Sequence, residues 1–435
     1  MNTNNQHITI NVFSIRNFRL VFFGALVSEL GAILYSFAVS FYILEITDNN
    51  AFLQGLYLAL CGVASVLLTP IGGVFGDRFN KAKIMYTCDY LKGSSIVLAT
   101  TLMLIFHETN AQLAILFVLG IIGSAVSGVF NPVSWALLPR ILKQDQIQQA
   151  NSYFSIKSST ENILGIILAG ILYAAIPVYY LFFFVGVCYI ASGMSEMLIK
   201  YDYQPSPEKL TFKLAIQDMS DGFQYIKTKK ALLVLLSALL FINFFFCPVT
   251  SNFLPFFIKT DLASSSSYLF DKVLTPELWS SVFSVVMGVS SLIGASILSS
   301  KKQPEKCGFK TALRIFSMSI VLIAITIFYW LFVYRGVSLN GFLIAYVFCA
   351  FAIGFLMVTI NIPLNTVSMQ IVDKDKLSKV TSISGIFCSG IVPIASVLSG
   401  LVLKTFGCTP LLAISSLGVF FISVFLLFNK SFKTI

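Results

Sequence analysis

The residue with the clearest chemical potential is Glu29, an acidic side chain inside a long apolar segment. On a helix it would lie about 16 Å from the start of that segment, near the middle of a bilayer. An ionised carboxylate is costly at that depth, and neighbours one and two turns away on its face provide no cation. Glu29 is therefore a candidate for reversible proton or cation handling. A carboxyl that stays protonated between helices, or one that directly binds a cationic substrate, is the alternative.

Two more carboxyls each have a lysine within one helical turn. Glu161 lies deep in another apolar segment, and Lys157 precedes it on the same face. This pair could handle protons or could form a buried ion pair that only supports the structure, and the sequence leaves both open. Asp89 and Lys92 are expected to form a static pair, with exchange of partners during gating as the alternative. Glu196 is expected to reach the lipid headgroups.

Membrane-spanning helices must position these residues. The chain has 435 residues, of which 57% are hydrophobic and 11% charged, which excludes a water-soluble protein. A spanning helix uses about 20 apolar residues, and the long apolar runs lack the two-residue alternation of a transmembrane barrel. The sequence therefore predicts an all-α membrane protein with twelve spans, at residues 20–46, 52–75, 84–106, 113–138, 154–175, 178–199, 232–256, 278–298, 313–333, 339–364, 380–401 and 411–428.

The basic excess has a topological explanation. The net charge is +10, yet no basic cluster interleaved with aromatic residues indicates a nucleic-acid partner. Most lysines and arginines fall in alternate loops and at both termini, which predicts cytoplasmic termini in a bacterial cell membrane. Only four cations fall on the other side: Lys259, Lys272, Arg335 and Lys404.

No cofactor or metal is expected. The eight cysteines are scattered without a C-x-x-C pair, and there are only two histidines, so neither a metal site nor a disulfide framework is indicated. The sequence has no G-x-x-x-x-G-K-[ST] loop and neither an H-E-x-x-H nor a G-x-S-x-G motif. ATP hydrolysis and an intramembrane enzyme are therefore disfavoured.

The chain divides into two related halves. Arg140–Ser152 aligns with Gln370–Ser382, and the same shift places Asn131 on Asn361. This repeat predicts an N-terminal six-helix bundle at residues 1–199 and a C-terminal bundle at residues 231–435. The linker at 200–230 is expected to hold an amphipathic helix that tethers the halves, and the polar loop at 259–277 is expected to be mobile. Duplicated halves place the substrate site at the midplane in many secondary transporters.

A local motif adds a family resemblance. The segment GGVFGDRFNKAK, Gly72–Lys83, resembles the Gly-x-x-x-Asp-Arg signature of the major facilitator superfamily. Asn131–Asn151, Ala215–Ile226 and the Asp89-x-x-Lys92 pair look like its drug-exporting branch, which includes macrolide-efflux proteins and the enterobactin exporter. The resemblance covers nearly the whole chain and implies two pseudo-symmetric six-helix bundles and export driven by a proton gradient. The branch also holds members assigned to siderophores or lipids.

The sequence departs from the family pattern at three places. Asn80 stands where the signature usually has glycine, and Ala82 where it often has a basic residue. Gly165-Ile166 replaces the Gly-Pro of many antiporters, which removes an expected kink. The segment after the eighth span, Gly294–Lys302, lacks the aspartate, so only the first half keeps the motif.

The signature residues predict a cytoplasmic gate. They are Gly73, Asp77, Arg78 and Lys83. Asp77 could pair with a cation and meet the N-terminal end of a helix in the other bundle, while Gly73 would allow close helix packing. An ordinary loop salt bridge that marks topology is the alternative.

Other polar or aromatic residues in the spans are candidates to line a substrate cavity. No acidic residue lies inside a predicted span of the second half, so coupling is expected to be asymmetric. The sequence predicts a monomeric, proton-coupled exporter of amphipathic small molecules in contact with membrane lipid. Export of a siderophore or lipid is the alternative within the same class. The cavity candidates are Phe22, Ser36, Ser40, Asn131, Asn243, Asn361 and Asn365.

Overall fold

The structure is a computed structural model, and it describes residues 12–142, 144–201, 203, 223–265, 267–299, 308–371 and 390–433. Within these ranges the chain is almost entirely helical and contains no β-strand. Twelve helices correspond to the predicted spans and are numbered in chain order. They are α1 Arg16–Ile46, α2 Ala51–Arg78, α3 Lys81–Ile105, α4 Thr109–Ile141, α5 Gln144–Ala175, α6 Val178–Met197, α7 Lys230–Leu262, α8 Pro276–Ser299, α9 Gly308–Arg335, α10 Leu339–Ile371, α11 Val392–Phe406 and α12 Cys408–Phe428.

The apolar length of the helices confirms a membrane fold. Over the described ranges, eleven helices are long and apolar enough to cross a bilayer, and α11 is a shorter apolar helix. Residues 380–389 of the eleventh predicted span lie outside the described residues. Most of the predicted linker helix also lies outside them, but residues 223–228 are helical and Ile226 among them is buried.

Short connections make neighbouring helices run in opposite directions. Asp48 and Asn49 adopt positive φ angles of 50° and 61° in the turn between α1 and α2, a conformation that short polar side chains tolerate. Gly407, with φ of 79°, joins α11 to α12. Helices that begin on the side of the termini, as α1 does at Arg16, therefore alternate with helices that begin on the opposite side.

The seventh helix is longer and less regular than predicted. Two π-helical turns, Val249–Phe253 and Ile258–Leu262, flank the short α-helical piece Leu254–Phe257. Pro248 and Pro255 precede these turns, and proline removes an amide donor from the regular hydrogen-bond ladder. The helix thereby continues six residues beyond its predicted end at residue 256, so the first four residues of the predicted mobile loop, 259–262, are helical.

The chain folds into two compact units. The first contains residues 1–35, 67–165 and 179–211. The second contains residues 36–66, 166–178 and 212–435, and it holds the largest hydrophobic core. The second unit therefore combines the second half of the chain with the ends of α1, α2 and α5 that lie away from the termini. The six-plus-six division at residues 199 and 231 stays a prediction.

Candidate functional site

Three ionisable side chains from α1 and α5 meet inside the first unit. Nζ of Lys157 lies 2.7 Å from Oε2 of Glu29 and 3.2 Å from Oε2 of Glu161. Lys157 donates a hydrogen bond to Glu29, and its ion pair with Glu161 spans one turn of α5. We call these residues the Glu29–Lys157–Glu161 cluster.

Close packing of α1 against α5 explains this meeting. Gly165 lies one turn beyond Glu161, and a Cβ atom there would come within 3.1 Å of Ile33 and 3.3 Å of Leu30. Because glycine has no side chain, α5 can approach α1 at this level. The ring centre of Phe154 lies 5.5 Å from Nζ of Lys157, a cation–π contact. These neighbours hold the ammonium between the two carboxylates.

The cation beside Glu29 comes from a different helix, which its own helical face could not reveal. The residues on its own face of α1 offer none, but the cation comes from α5, at a position 128 residues later in the chain. The predicted contact between Lys157 and Glu161 is present. Whether either carboxyl handles protons stays a prediction.

The members of the cluster differ sharply in exposure. The side chain of Glu29 is 54% exposed, whereas those of Lys157 and Glu161 are 1% and 4% exposed. Neither carboxyl oxygen of Glu161 accepts a well-aligned hydrogen bond from the described residues. Two carboxylates share one ammonium, so the cluster carries one excess negative charge unless a proton or a second cation is bound. Glu29 is the member that can exchange that proton or contact that cation, because it alone is accessible.

Phe22 is buried in this structure, and its predicted role in lining a cavity stays a prediction. It is buried in an aromatic cluster, with its ring centre 5.1 Å from Phe13, 5.8 Å from Phe18 and 5.6 Å from Phe154. Trp135, which the sequence did not single out, extends this cluster at 6.4 Å from Phe154 and is itself exposed. Phe22 therefore packs against Phe154, and Phe154 in turn contacts Lys157 of the Glu29–Lys157–Glu161 cluster.

The predicted pair Asp89 and Lys92 takes a different form. Nζ of Lys92 lies 3.4 Å from Oη of Tyr189 and 4.5 Å from the centre of its ring, rather than in a direct ion pair with Asp89. Asp89 is buried, and one of its oxygens has no hydrogen-bond partner among the described residues.

Glu196, expected at the headgroups, is fully buried instead. Neither of its carboxyl oxygens accepts a hydrogen bond within the described part of the chain. Its end of α6 is covered by α1, where Ser195 donates a hydrogen bond to the Leu20 carbonyl. Lateral packing of α1 therefore keeps this carboxyl away from the headgroups.

The predicted gate is described only in part. The surroundings of Gly73 and the side chains of Asp77 and Arg78 lie outside the described residues, although the backbone of all three belongs to the end of α2. Lys83 is exposed in the first turn of α3, and its amide donates to the side chain of Asn80 over 3.2 Å. Asn80 thus caps α3, which gives a physical role to the residue that replaces the usual glycine.

The first turn of α3 is also tied to the segment after α6. The amide of Lys81 donates to Oη of Tyr201 over 2.8 Å. Burial raises the pKa of the Tyr201 phenol, so its oxygen accepts this bond as a neutral hydroxyl.

The remaining cavity candidates are polar residues with varied exposure. Ser36, Asn131 and Asn361 are exposed, and Ser40 and Asn243 are partly buried. The side chain of Asn365 lies outside the described residues. Their exposure is compatible with contact to a substrate, and that role stays a prediction.

Within the described residues, two acidic residues of the second half lie in helices that match spans, Asp261 in α7 and Glu277 in α8, contrary to expectation. Asp261 belongs to the last turn of α7 and accepts hydrogen bonds from Tyr329 over 3.0 Å and from Thr260 over 3.2 Å. Hydropathy alone places it in a loop, because the predicted span ends at residue 256. The sequence signal for a buried Asp261 was the presence of two hydroxyl donors in helical segments, Thr260 beside it and Tyr329 in α9.

The arrangement offers no obvious metal ligands. In the part of the chain that the structure describes, no three His, Cys, Asp or Glu side chains converge in a way that could hold a metal ion. The charged groups of the Glu29–Lys157–Glu161 cluster can form ion pairs and transfer protons.

Long apolar helices with ionisable side chains inside them are typical of membrane transport proteins. The sequence model described as Major Facilitator Superfamily matches residues 21–397, so the chain belongs to this superfamily. Its fold is the twelve-helix fold of two related six-helix bundles, and it is a multi-pass membrane transporter.

Individual relatives are distant. The MFS-type transporter YkuC of Bacillus subtilis is 25% identical over 390 residues, which cover 87% of this chain and 83% of that protein. The staphyloferrin A transporter of Staphylococcus aureus is 20% identical over 206 residues, 47% of this chain and 49% of that protein. A bacterial homologue of the iron transporter ferroportin, solved in an inward-facing state, aligns with a TM-score of 0.68 over 94% of this chain and 98% of that chain. At 15% identity, this last likeness shows the fold alone.

Proposed function

We propose that this protein exports amphipathic, preferably cationic, small molecules across a bacterial cell membrane in exchange for protons. The observation that carries the proposal is the Glu29–Lys157–Glu161 cluster, in which one ammonium serves two carboxylates and only one carboxylate is accessible. The relatives support the transporter class, and the substrate and the coupling belong to the proposal.

The cluster supplies a simple basis for exchange. When Glu29 is ionised, Lys157 is shared and the cluster has one excess negative charge. When Glu29 takes a proton, Lys157 can pair fully with Glu161 and the charge is balanced. A cationic substrate beside ionised Glu29 balances the charge equally well. A proton and a cation therefore compete for one site, and such competition is the requirement for antiport.

The same electrostatics disfavour an anionic substrate. The ammonium of Lys157 is enclosed by protein, and the exposed group of the cluster is a carboxylate. An anion would meet repulsion from Glu29 without access to Lys157. A siderophore or lipid remains the second candidate, favoured by the similarity of about half the chain to the staphyloferrin A transporter.

The direction of transport follows from the proposed orientation. Loops on the side of the termini carry most of the lysines and arginines, which favours cytoplasmic termini. Proton entry from outside would then drive the substrate outwards. The exposed signature residue Lys83 lies on the same basic side as the termini.

The proposal is tested in proteoliposomes with an internal pH dye. Tetraphenylphosphonium, lysophosphatidylcholine and staphyloferrin A are each supplied on one side, and proton movement and substrate flux are recorded together. We expect tetraphenylphosphonium to drive proton movement in the parent protein. Glu29→Gln should abolish that proton movement, because a glutamine amide does not take up or release a proton near neutral pH. Proton movement with only the siderophore or the lysolipid would favour the second candidate.

A matched control removes a carboxyl outside the cluster. Glu108 precedes the first turn of α4, is exposed and makes no capping hydrogen bond through its side chain. Glu108→Gln should leave the coupled flux at the parent level. Equal, undiminished proton coupling in the Glu29→Gln protein would remove Glu29 from the mechanism.

A further inference from the structure

A second lysine-centred cluster lies at the ends of four helices away from the termini. Nζ of Lys259, in the last turn of α7, lies 3.1 Å from Oε2 of Glu45 and 3.2 Å from Oε1 of Glu277. Tyr173 of α5 donates a hydrogen bond of 2.8 Å to the same Glu45 oxygen, and Nζ of Lys259 lies 5.6 Å from the centre of the Tyr173 ring. We call these four residues the Lys259 cluster.

The Lys259 cluster joins helices from both halves of the chain. Glu45 and Tyr173 belong to α1 and α5, whereas Lys259 and Glu277 belong to α7 and α8. All four lie in the second compact unit. Glu277 lies in the first turn of α8, where the positive end of the helix dipole favours a carboxylate. The π-helical turn Ile258–Leu262 contains Lys259.

Two further close contacts join first-half to second-half helices within the same unit. The side chain of Ser281 in α8 donates to the carbonyl of Ile166 in α5 over 2.8 Å. A Cβ atom at Gly55 of α2 would overlap the carbonyl of Ser396 in α11. First-half and second-half helices are therefore packed closely within this unit, and the Lys259 cluster adds an ionic contact between them.

Alternating access requires contacts of this kind to break and re-form. If the first-half helices separate here from the second-half helices, the Lys259 cluster divides into two pairs. Glu45 keeps the hydrogen bond from Tyr173, and Lys259 keeps the ion pair with Glu277. The ion pair between Lys259 and Glu45 and the cation–π contact between Lys259 and Tyr173 are lost, but no charged group is left alone. Such a division keeps the cost of opening moderate, because an unpaired charge in a low-dielectric setting is the expensive outcome.

We propose that the bond between Lys259 and Glu45 is a reversible latch that holds this transporter closed on the side opposite the termini. Glu277 shares the Lys259 ammonium with Glu45 but does not itself cross between the halves. The latch requires only the transporter class, and it is independent of substrate and of proton coupling at Glu29.

Two variants of equal charge change separate a latch from a merely structural cluster. Glu45→Gln weakens the bond that crosses between the halves, and Glu277→Gln weakens a bond within the second half. Hydrogen–deuterium exchange of the full chain in nanodiscs is read in peptides covering residues 40–50 and 254–262. Peptides covering residues 16–28, on the side of the termini, report any general loss of stability.

The latch predicts exchange about fivefold faster in the first two peptides of Glu45→Gln, with residues 16–28 unchanged. Exchange in Glu277→Gln should stay at or below the parent rate, because Lys259 then gives its whole charge to Glu45. Two results would overturn the latch. One is unchanged exchange in Glu45→Gln, and the other is an equal increase in both variants or in all peptides.

Discussion

Lys157 of α5 donates a hydrogen bond of 2.7 Å to Glu29 of α1, a residue 128 positions away in the chain. The lysine is enclosed by protein, while the carboxylate remains more than half exposed. This pairing connects an accessible acid to a buried acid, Glu161, through a single ammonium. A change of charge at the accessible end must therefore change the pairing of the buried residue.

Loss of the central ammonium should be costly. Lys157→Met leaves two carboxylates near one another without a cation, and we expect the free energy of unfolding to fall by about 3–5 kcal/mol. In a Glu161→Gln background the same change should cost clearly less, because one of the unbalanced charges is gone. Denaturant titration in detergent micelles measures both. Lys83→Met, at an exposed position, is the control. Equal losses in the two backgrounds would show that the charges of Lys157 and Glu161 are not coupled.

The cap on α3 makes a graded prediction. Asn80 accepts a hydrogen bond from the amide of Lys83, so Asn80→Ala should lower the free energy of unfolding by about 1 kcal/mol. Asn80→Gly, which restores the residue usual in the family signature, should cost only a few tenths of a kcal/mol. Thermal unfolding of the parent, Asn80→Gly and Asn80→Ala proteins gives their order of stability. A glycine variant less stable than the alanine variant would contradict the capping role.

The close contact of α2 with α11 predicts sensitivity to one methyl group. A side chain at Gly55 would overlap the Ser396 carbonyl, so Gly55→Ala should destabilise the protein by about 1–3 kcal/mol. At Gly123 a Cβ atom would have no described atom within 4 Å, and Gly123→Ala should be neutral or slightly stabilising. Thermal unfolding of both variants tests the contact. Equal stabilities of Gly55→Ala and Gly123→Ala would refute it.

The acceptor role of Asp261 can be tested through its donor. Tyr329→Phe removes the 3.0 Å hydrogen bond while Thr260 continues to donate, so we expect a loss of about 1 kcal/mol in unfolding free energy. Tyr334, five residues later in α9, is 63% exposed, and Tyr334→Phe serves as the control. Indistinguishable stabilities of the two variants would mean that the bond to Asp261 contributes nothing.

Hydropathy predicts most of the helices well because long apolar runs are a local property of the chain. The seventh span is the exception, since its predicted end at residue 256 avoids the charges of Lys259 and Asp261. In the structure Glu45, Glu277 and Tyr329 provide partners for these side chains, so the helix continues to Leu262. Partners of this kind come from distant parts of the sequence, and a window of neighbouring residues does not contain them.

The candidate site is only half visible in the sequence. The pair of Lys157 and Glu161 follows from helical spacing, since both residues lie on one face of α5. The contact between Lys157 and Glu29 does not follow from helical spacing. Periodicity identifies the buried face of a helix, but it does not show which other helix packs against that face. Charge balance is the signal that could have identified this contact, because a buried lysine and an acidic residue inside neighbouring spans each need a partner.

Burial at helix ends is equally hard to predict. The sequence places Glu196 near the headgroups because it is one residue from the end of α6. The structure covers that end with α1, through the hydrogen bond from Ser195 to the Leu20 carbonyl and through Asn17, which bonds to Lys200. The distance of a residue from its helix end therefore gives its position along the helix, but it does not show whether neighbouring helices cover it.

The central claim is that substrate and proton compete at Glu29. The most direct measurement is the proton released when tetraphenylphosphonium binds to the purified protein in weakly buffered detergent solution, recorded with a pH dye across a series of pH values. We expect the parent protein to release protons at pH values where Glu29 starts protonated, and the Glu29→Gln protein to release none at any pH. Release from the Glu29→Gln protein equal to that from the parent would contradict the central claim.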